Sequence, residues 1–247
     1  MQRHFLLYLE LMRDKVPNFD AYPFSIPAVA ALERLVFNPG VTFFVGENGS
    51  GKSTLIEAIA IRAGFNPEGG TKNFNSAHRP SESSLQQCVR LARGASRERG
   101  GFFLRAETMF NVSTEAEDYQ IYGWEKLHEM SHGEAFLWVT LNKFRERGLF
   151  VLDEPESALS PTRQLSLLSR IHQLVTSGSQ FIISTHSPIL LAYPGASIFL
   201  LDRSGIQQVR YEDTEHYAVT RSFLQDPAGS LRRLFAQVED DGDPDDA

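Results

Sequence analysis

The segment GENGSGKST, residues 46–54, is the part of this 247-residue chain whose residue types and spacing point most directly to chemistry. It fits the pattern GxxxxGK[ST] at every fixed position and stands between an apolar run and a helical pattern. Glycines let the backbone approach phosphate oxygens, and consecutive N–H groups at a helix amino terminus favour an anion. The lysine of such a loop reaches the β- and γ-phosphates, and the next hydroxyl ligates Mg²⁺. Rather than a glycine-rich turn without a ligand, the segment predicts a nucleoside triphosphate site formed by Gly46, Glu47, Asn48, Gly49, Ser50, Gly51, Lys52, Ser53 and Thr54.

An acidic pair follows the apolar run LFVL, residues 149–152. Strands of a parallel α/β sheet deliver their carboxyl ends to the ligand crevice, so Asp153 and Glu154 are expected beside the phosphates. Asp153 is then a Mg²⁺ ligand together with Ser53, and Glu154 is the general base that polarises the attacking water. Taken alone, such a pair is also common as a helix cap.

A histidine follows another apolar run, FIIS, residues 181–184. His186 is expected at the same sheet edge, where its ring can hydrogen-bond the γ-phosphate and the attacking water. A lone histidine is more often structural than catalytic, so both roles stay open. The candidate catalytic residues are therefore Glu154, His186 and Lys52.

Short apolar runs bounded by turn residues predict the strands that position these side chains. The runs are VTFFV (41–45), GFFLRA (101–106), LFVL (149–152), FIIS (181–184) and IFLL (198–201). The first segment of the chain is also interpreted as a strand. Helical patterns lie between most of these runs, and that alternation predicts an α/β fold with a largely parallel central sheet.

Helices are expected over about 52–63, from Ser160 and Pro161 onward, and from Ser131 to near Gly148. A short helical stretch is expected around 85–91. The segment after Thr214 predicts two helices, the second opening at Asp226 and Pro227. Their apolar residues are expected to pack on the sheet; these are Tyr217, Val219, Phe223 and Leu224.

Composition predicts a single globular domain over residues 1–238. Lobe I comprises about 1–65 and 148–238, and an inserted lobe II comprises about 66–147. The net charge is −7, and six acids in residues 239–247 account for all but −1 of it, so this tail is expected to be disordered. The single Cys88 and the lack of a long apolar run favour a reducing, cytoplasmic compartment without a membrane anchor.

An arginine cluster lies between the loop and the second predicted strand. Its members are Arg90, Arg93, Arg97 and Arg99. Such a cluster can meet nucleic-acid phosphates, and a solvated helix face interrupted by Glu98 explains it equally well.

Five motifs occur in the order found in ATP-binding cassette (ABC) ATPases, which the chain resembles. They are the phosphate-binding loop, SHGE (131–134), LDEP (152–155), SALS (157–160) and STHS (184–187). The chain looks like a small stand-alone member, closer to RecF, SMC and DNA-repair ATPase heads than to transporter subunits. It is also similar, over about 22–224, to a family of bacterial predicted ATPases of the same length.

The resemblance implies a P-loop NTPase fold of the ABC type with an inserted helical lobe. It implies that ATP is hydrolysed to ADP and phosphate with Mg²⁺, at composite sites of an ATP-induced homodimer. Ser131 and Gly133 would then contact the nucleotide bound by the other subunit. A protein partner or a DNA-linked process stays open. The alternatives are a slow binding switch, in which hydrolysis is a reset, and a transporter subunit, which the small insert disfavours.

The chain departs from the family pattern at His132, Glu134 and Ser160, which puts the geometry of the ATP-bound dimer in question. Ser131 and Glu134 also have the spacing of a capping box, and both roles are compatible. A further metal-touching residue is expected at the family's glutamine-loop position. Glu107 is preferred over Gln120 because it directly follows a predicted strand.

Overall fold

The computed structural model describes residues 4–72, 83–105 and 130–240, with side chains up to 236. A central sheet has the strand order β5-β6-β7-β3-β8-β9. Its first five strands are parallel, and β9 pairs antiparallel with β8. The bounds are β3 Val41–Val45, β5 Gly100–Arg105, β6 Gly148–Asp153, β7 Gln180–Ser184, β8 Ser197–Asp202 and β9 Gly205–Val209.

A second, antiparallel sheet has the order β2-β1-β4, with β1 Leu6–Leu11, β2 Arg34–Val36 and β4 Val89–Arg93. Gln180 connects the two sheets. Its buried side-chain amide accepts from the N–H groups of Phe5 and Leu6 and donates to the carbonyls of Leu6 and Asn38. This network satisfies backbone groups that would otherwise be buried unpaired.

Helices cover both faces of the central sheet. They are α1 Pro27–Ala30, α2 Lys52–Ala63, α3 Leu85–Cys88, α4 His132–Asn142, α5 Pro161–Thr176, α6 Pro188–Leu191, α7 Glu215–Gln225 and α8 Pro227–Asp240. Side chains alternate across a strand, so Phe44 and Ile182 join α2 on one face, whereas Phe43 and Ile183 join α4 and α5 on the other. The cores on the two faces hold the strand ends in place.

The α/β fold with a largely parallel sheet is confirmed, and so are the five predicted strands and the helix after the glycine-rich loop. The helix predicted around 85–91 is shorter in the structure than expected. It ends at Cys88, because Val89 begins β4, which pairs with β1 over its whole length. The helix that starts after Ser131 ends at Asn142, earlier than expected. Cys88 is buried, and its thiol donates to the carbonyl of Lys15.

The expectation that the last helices pack on the sheet is wrong for α7. None of its residues is buried, and Val219, Phe223 and Leu224 are exposed. Both faces of the central sheet are already covered by α2, α4 and α5, so α7 lies at the carboxyl edge of the strands instead.

The arginine cluster is not a helix face, since Arg90 and Arg93 lie on β4. The Arg90 guanidinium forms an ion pair with Glu10. Arg93 pairs with Glu98 and donates to the carbonyl of Ala63. These two charges are therefore partly neutralised within the fold, which weakens the case for a nucleic-acid surface.

The division into lobes and the acidic tail stay predictions. Within the segment assigned to lobe II, β4 and β5 lie in the two sheets. No helix of the described ranges is long and apolar enough to cross a membrane.

Candidate active site

The glycine-rich loop connects β3 to α2, as its pattern predicts. Gly46, Gly49 and Gly51 all have positive φ, at 148°, 80° and 100°. A Cβ on Gly46 would lie 2.2 Å from the carbonyl oxygen of Leu201, so this position has no room for another residue. The loop thereby curls at the amino terminus of α2, where its N–H groups favour an anion.

Lys52 places a buried positive charge inside this loop. Its side chain is 4% exposed, and Nζ donates to the carbonyl oxygens of Gly46 and Glu47 at 2.9 Å each. Burial lowers the pKa of the ammonium, and nearby carboxylates, that of Glu154 first, oppose the shift. The geometry suits a lysine that meets phosphate oxygens entering the loop.

Asp153, the last residue of β6, meets Ser53 of the loop although 100 residues separate them. The Ser53 hydroxyl donates to Oδ1 at 3.3 Å, and the Ser184 hydroxyl donates to the same oxygen at 2.5 Å. Arg105 Nε lies 3.6 Å from Oδ2. Burial raises the pKa of Asp153, while Ser184 and Arg105 act against that rise. A hydroxyl and a carboxylate oxygen are hard donors of the kind that Mg²⁺ prefers, so these residues fit the ion.

Glu154 turns sharply out of the strand. Its φ and ψ are 48° and 54°, a left-handed conformation that is rare for residues other than glycine and clusters at functional sites. Its N–H donates to both the carbonyl and the hydroxyl oxygen of Ser184. The turn brings Oε1 within 3.4 Å of His186 Nε2. The two candidate catalytic side chains are therefore neighbours.

Glu156 is a residue of this site that the sequence reasoning missed. Its carboxylate accepts from the Thr185 hydroxyl at 2.7 Å and from the His186 N–H at 2.5 Å. Burial raises the pKa of Glu156, and these hydrogen bonds oppose the shift. In the sequence, the feature that could have indicated Glu156 is its position two residues after Glu154. Glu156 fixes the backbone that carries the histidine.

His216 of α7 was missed as well, and no short-range pattern points to it. Its Nε2 lies 2.9 Å from Nδ1 of His186. Burial and the neighbouring His186 lower the pKa of His216.

Two cavities surround these groups. One of about 950 Å³ lies between Gly46–Ser50, Leu200–Ser204 and the start of α7. Another of about 610 Å³ is bounded by the loop, Glu154, His186 and residues 215–220 of α7. Ser131 and Gly133 line neither cavity.

Ser131 is the N-cap of α4 and forms the capping box with Glu134. The Ser131 N–H and hydroxyl both donate to the Glu134 carboxylate, at 2.9 and 2.7 Å, and Arg163 pairs with the same carboxylate. A Cβ on Gly133 would lie 2.5 Å from the carbonyl of Ala158. Ser160 caps α5 by accepting from the Arg163 N–H. Glu107 and Gln120 lie outside the described residues.

Residues 18–129 match the family model described as "AAA domain", and residues 96–192 match "AAA domain, putative AbiEii toxin, Type IV TA system". Both matches span parts of the site built above.

The chain has a P-loop fold, and its two matches to AAA domain models together span residues 18–192.

Curated relatives of the chain include an "Uncharacterized ABC transporter ATP-binding protein" of Haemophilus influenzae. It is 37% identical over 83 residues, which cover 33% of the chain and 32% of the relative. The "Energy-coupling factor transporter ATP-binding protein EcfA2" of Methanospirillum hungatei is 25% identical over 84% of the chain and 58% of the relative. The chain thus spans about a third and somewhat over half of these two relatives.

Solved structures similar to the chain include cbiO1 from Clostridium perfringens, with a TM-score of 0.49 and 17% identity. That match covers 93% of this chain and 99% of the other. The SMC head domain from Thermotoga maritima has a TM-score of 0.45 and 16% identity over 83% of this chain and 98% of the head.

Proposed function

We propose that this domain binds ATP with Mg²⁺ and hydrolyses it to ADP and phosphate. The observation that carries the proposal is the convergence of a buried lysine, a hydroxyl, two carboxylates and a histidine at one sheet edge. They follow three neighbouring strands, β6, β7 and β3. The residues are Lys52, Ser53, Asp153, Glu154 and His186.

Each group has a role that its surroundings support. The N–H groups of Gly46 to Thr54 and the Lys52 ammonium bind the phosphates. Ser53 and Asp153 would hold Mg²⁺, which when bound neutralises charge on the β- and γ-phosphates, and Glu107 is proposed as a further ligand. Glu154 Oε1 orients the attacking water and accepts its proton, and His186 Nε2–H contacts the γ-phosphate.

We also propose that the site is completed by a second copy of the chain, through Ser131 and Gly133 at the amino terminus of α4. Support comes from the cavity next to Glu154 and His186, which these residues do not line within one subunit. A helix amino terminus suits a γ-phosphate. The domain is proposed to be cytoplasmic, with a protein or DNA partner of unassigned identity.

The test measures phosphate release from ATP in the presence of Mg²⁺. Glu154→Gln keeps the size of the side chain but cannot accept a proton, so we expect turnover to fall by about 100-fold or more. Glu212→Gln, an exposed acid just before α7, is the matched control and should turn over like the wild type. Wild-type turnover in Glu154→Gln would remove Glu154 from the base role.

A binding switch is the second candidate. The capping box and Arg163 engage the Ser131 hydroxyl within the subunit, so closing a dimer around ATP requires these bonds to rearrange. Turnover below about 0.01 per second, far under the usual range of about 1 to 1,000, would favour this reading.

A further inference from the structure

We propose that His216 is a positioning residue of the ATPase site: it donates a hydrogen bond to Nδ1 of His186 and thereby sets the tautomer and orientation of that ring. The role of His186 toward the γ-phosphate rests on the proposed function. The contact between the rings does not, because it is a property of the fold.

The first step is the direction of the hydrogen bond between the two rings. His186 Nε2 lies 3.4 Å from Oε1 of Glu154 without forming a hydrogen bond, and the negative charge of that carboxylate favours the tautomer with the proton on Nε2. In the neutral ring with this proton, Nδ1 of His186 is an acceptor, so His216 Nε2, 2.9 Å away, is the donor.

The second step is the state of His216. Its ring centroid lies 5.1 Å from that of His186, and Nδ1 of His216 is buried without a hydrogen-bond partner. Burial first and the adjacent His186 second oppose a positive charge there, and they lower the pKa of His216. A neutral His216 with its proton on Nε2 is the form that the site favours.

The third step is rigidity. His216 is the second residue of α7, two positions after the N-cap Thr214. The buried Thr214 side chain accepts from the Tyr217 N–H at 3.3 Å and donates to the Tyr211 carbonyl at 2.7 Å. The Tyr211 hydroxyl donates to the carbonyl of Pro188, two residues beyond His186. The helix start is thus tied to the segment that carries His186, and His216 is held on that support.

The consequence is that a helix outside the sheet contributes to the chemistry at its edge. With His216 in place, His186 keeps its Nε2–H directed toward Glu154 and the space for the γ-phosphate. Without that donor the ring can take the other tautomer, in which Nε2 has no proton to offer a phosphate oxygen.

The experiment compares His216→Phe, which keeps a ring but has no donor, with His216→Gln, whose amide keeps a donor close to Nε2. We expect kcat to fall by about 10- to 100-fold in the Phe variant, as for other groups that orient a functional histidine. KM should stay near the wild-type value, and the Gln variant should recover most of kcat. His172→Phe is the control, since the ring of that exposed histidine contacts Tyr193 at the surface, away from the site.

Nitrogen-15 NMR of the histidine rings gives a readout that does not depend on turnover. In the wild type we expect His186 with a protonated Nε2 and an unprotonated Nδ1, with its resonances assigned by their loss in His186→Gln. In His216→Phe we expect a tautomer mixture, and in His216→Gln the wild-type pattern. An unchanged tautomer and unchanged kcat in His216→Phe would overturn the proposal.

The two proposals fail separately. If the wild type releases no phosphate, or if Glu154→Gln equals it, hydrolysis fails and the NMR comparison still decides the role of His216. If His216→Phe does not fold by circular dichroism, the wild-type tautomer and the Gln variant decide it: a protonated Nδ1 on His186 would refute the inference.

Discussion

The Ser184 hydroxyl donates to Oδ1 of Asp153 at 2.5 Å, and the Ser184 hydroxyl oxygen accepts from the N–H of Glu154 at 3.2 Å. One side chain at the end of β7 thus fixes both carboxylate-bearing residues at the end of β6. Metal binding by Asp153 and proton acceptance by Glu154 therefore both depend on Ser184, which itself has neither role.

Ser184→Ala should therefore impair the site and the fold together. Ser184 is fully buried, and its loss leaves a buried carboxylate short of one donor, which costs about 1–3 kcal/mol of unfolding free energy. We expect this loss in urea unfolding and a lower kcat. Ser157→Ala, an exposed serine that donates to the Glu154 carbonyl, is the control and should leave both quantities nearly unchanged. Equal effects of the two substitutions would refute the special role of Ser184.

Glu156→Gln should change how stability depends on pH. Burial raises the pKa of Glu156 above its unfolded value, so the folded protein binds this proton more tightly than the unfolded chain. The unfolding free energy then falls as pH rises from the unfolded pKa to the folded one, and the cost persists at higher pH. Glu156→Gln removes this titrating group. The unfolding free energy of the variant, relative to that of the wild type, should therefore be higher at about pH 7 than at about pH 4.

Urea unfolding of both proteins at the two pH values measures this difference, with Glu212→Gln as the exposed control. If the difference in unfolding free energy between variant and wild type stays constant with pH, the pKa of Glu156 is not raised in the folded protein. The amide can still accept from the His186 N–H, so the two proteins can be compared as folded molecules.

Gly46→Ala should destabilise the protein far more than Gly64→Ala, although both glycines have positive φ. Its Cβ would meet the Leu201 carbonyl at 2.2 Å, whereas a Cβ on Gly64, which also has positive φ, meets nothing within 4 Å. Gly64→Ala costs about 1 kcal/mol from backbone conformation alone. Gly46→Ala adds a clash with backbone, so we expect a larger loss in thermal unfolding and loss of ATP binding by calorimetry. Retained ATP binding in Gly46→Ala would contradict the close fit of the loop.

Closure of two subunits around ATP predicts a change in solution mass. In the slow variant Glu154→Gln, ATP with Mg²⁺ should convert monomer to dimer by light scattering, and Ser131→Arg should prevent it by placing a long side chain at the amino terminus of α4. Thr162→Arg, at an exposed position near the start of α5, tests whether any added arginine has this effect. A mass that never changes while ATP still binds rules out the shared site.

Local patterns in the sequence were sufficient for the phosphate-binding loop and its helix. The reason is that strand, loop and helix are contiguous over residues 41–63, so glycine spacing and apolar runs determine their form. The strand ends carrying Asp153, Glu154 and His186 were predictable because carboxyl ends of parallel strands share one edge. The order of these motifs along the chain, which is that of ABC ATPases, added the expectation that the nucleotide is ATP and is hydrolysed.

Only the tertiary structure decided which side chains meet. Ser53 and Asp153 are 100 residues apart, and strand order places β7, with Ser184, between β6 and β3. The pairing of β4 with β1 overrode the helical pattern of residues 89–91. His216 lies 30 residues from His186, on a helix whose amphipathic pattern predicted packing on the sheet. Which face a helix presents depends on what already covers the sheet, and no local pattern contains that information.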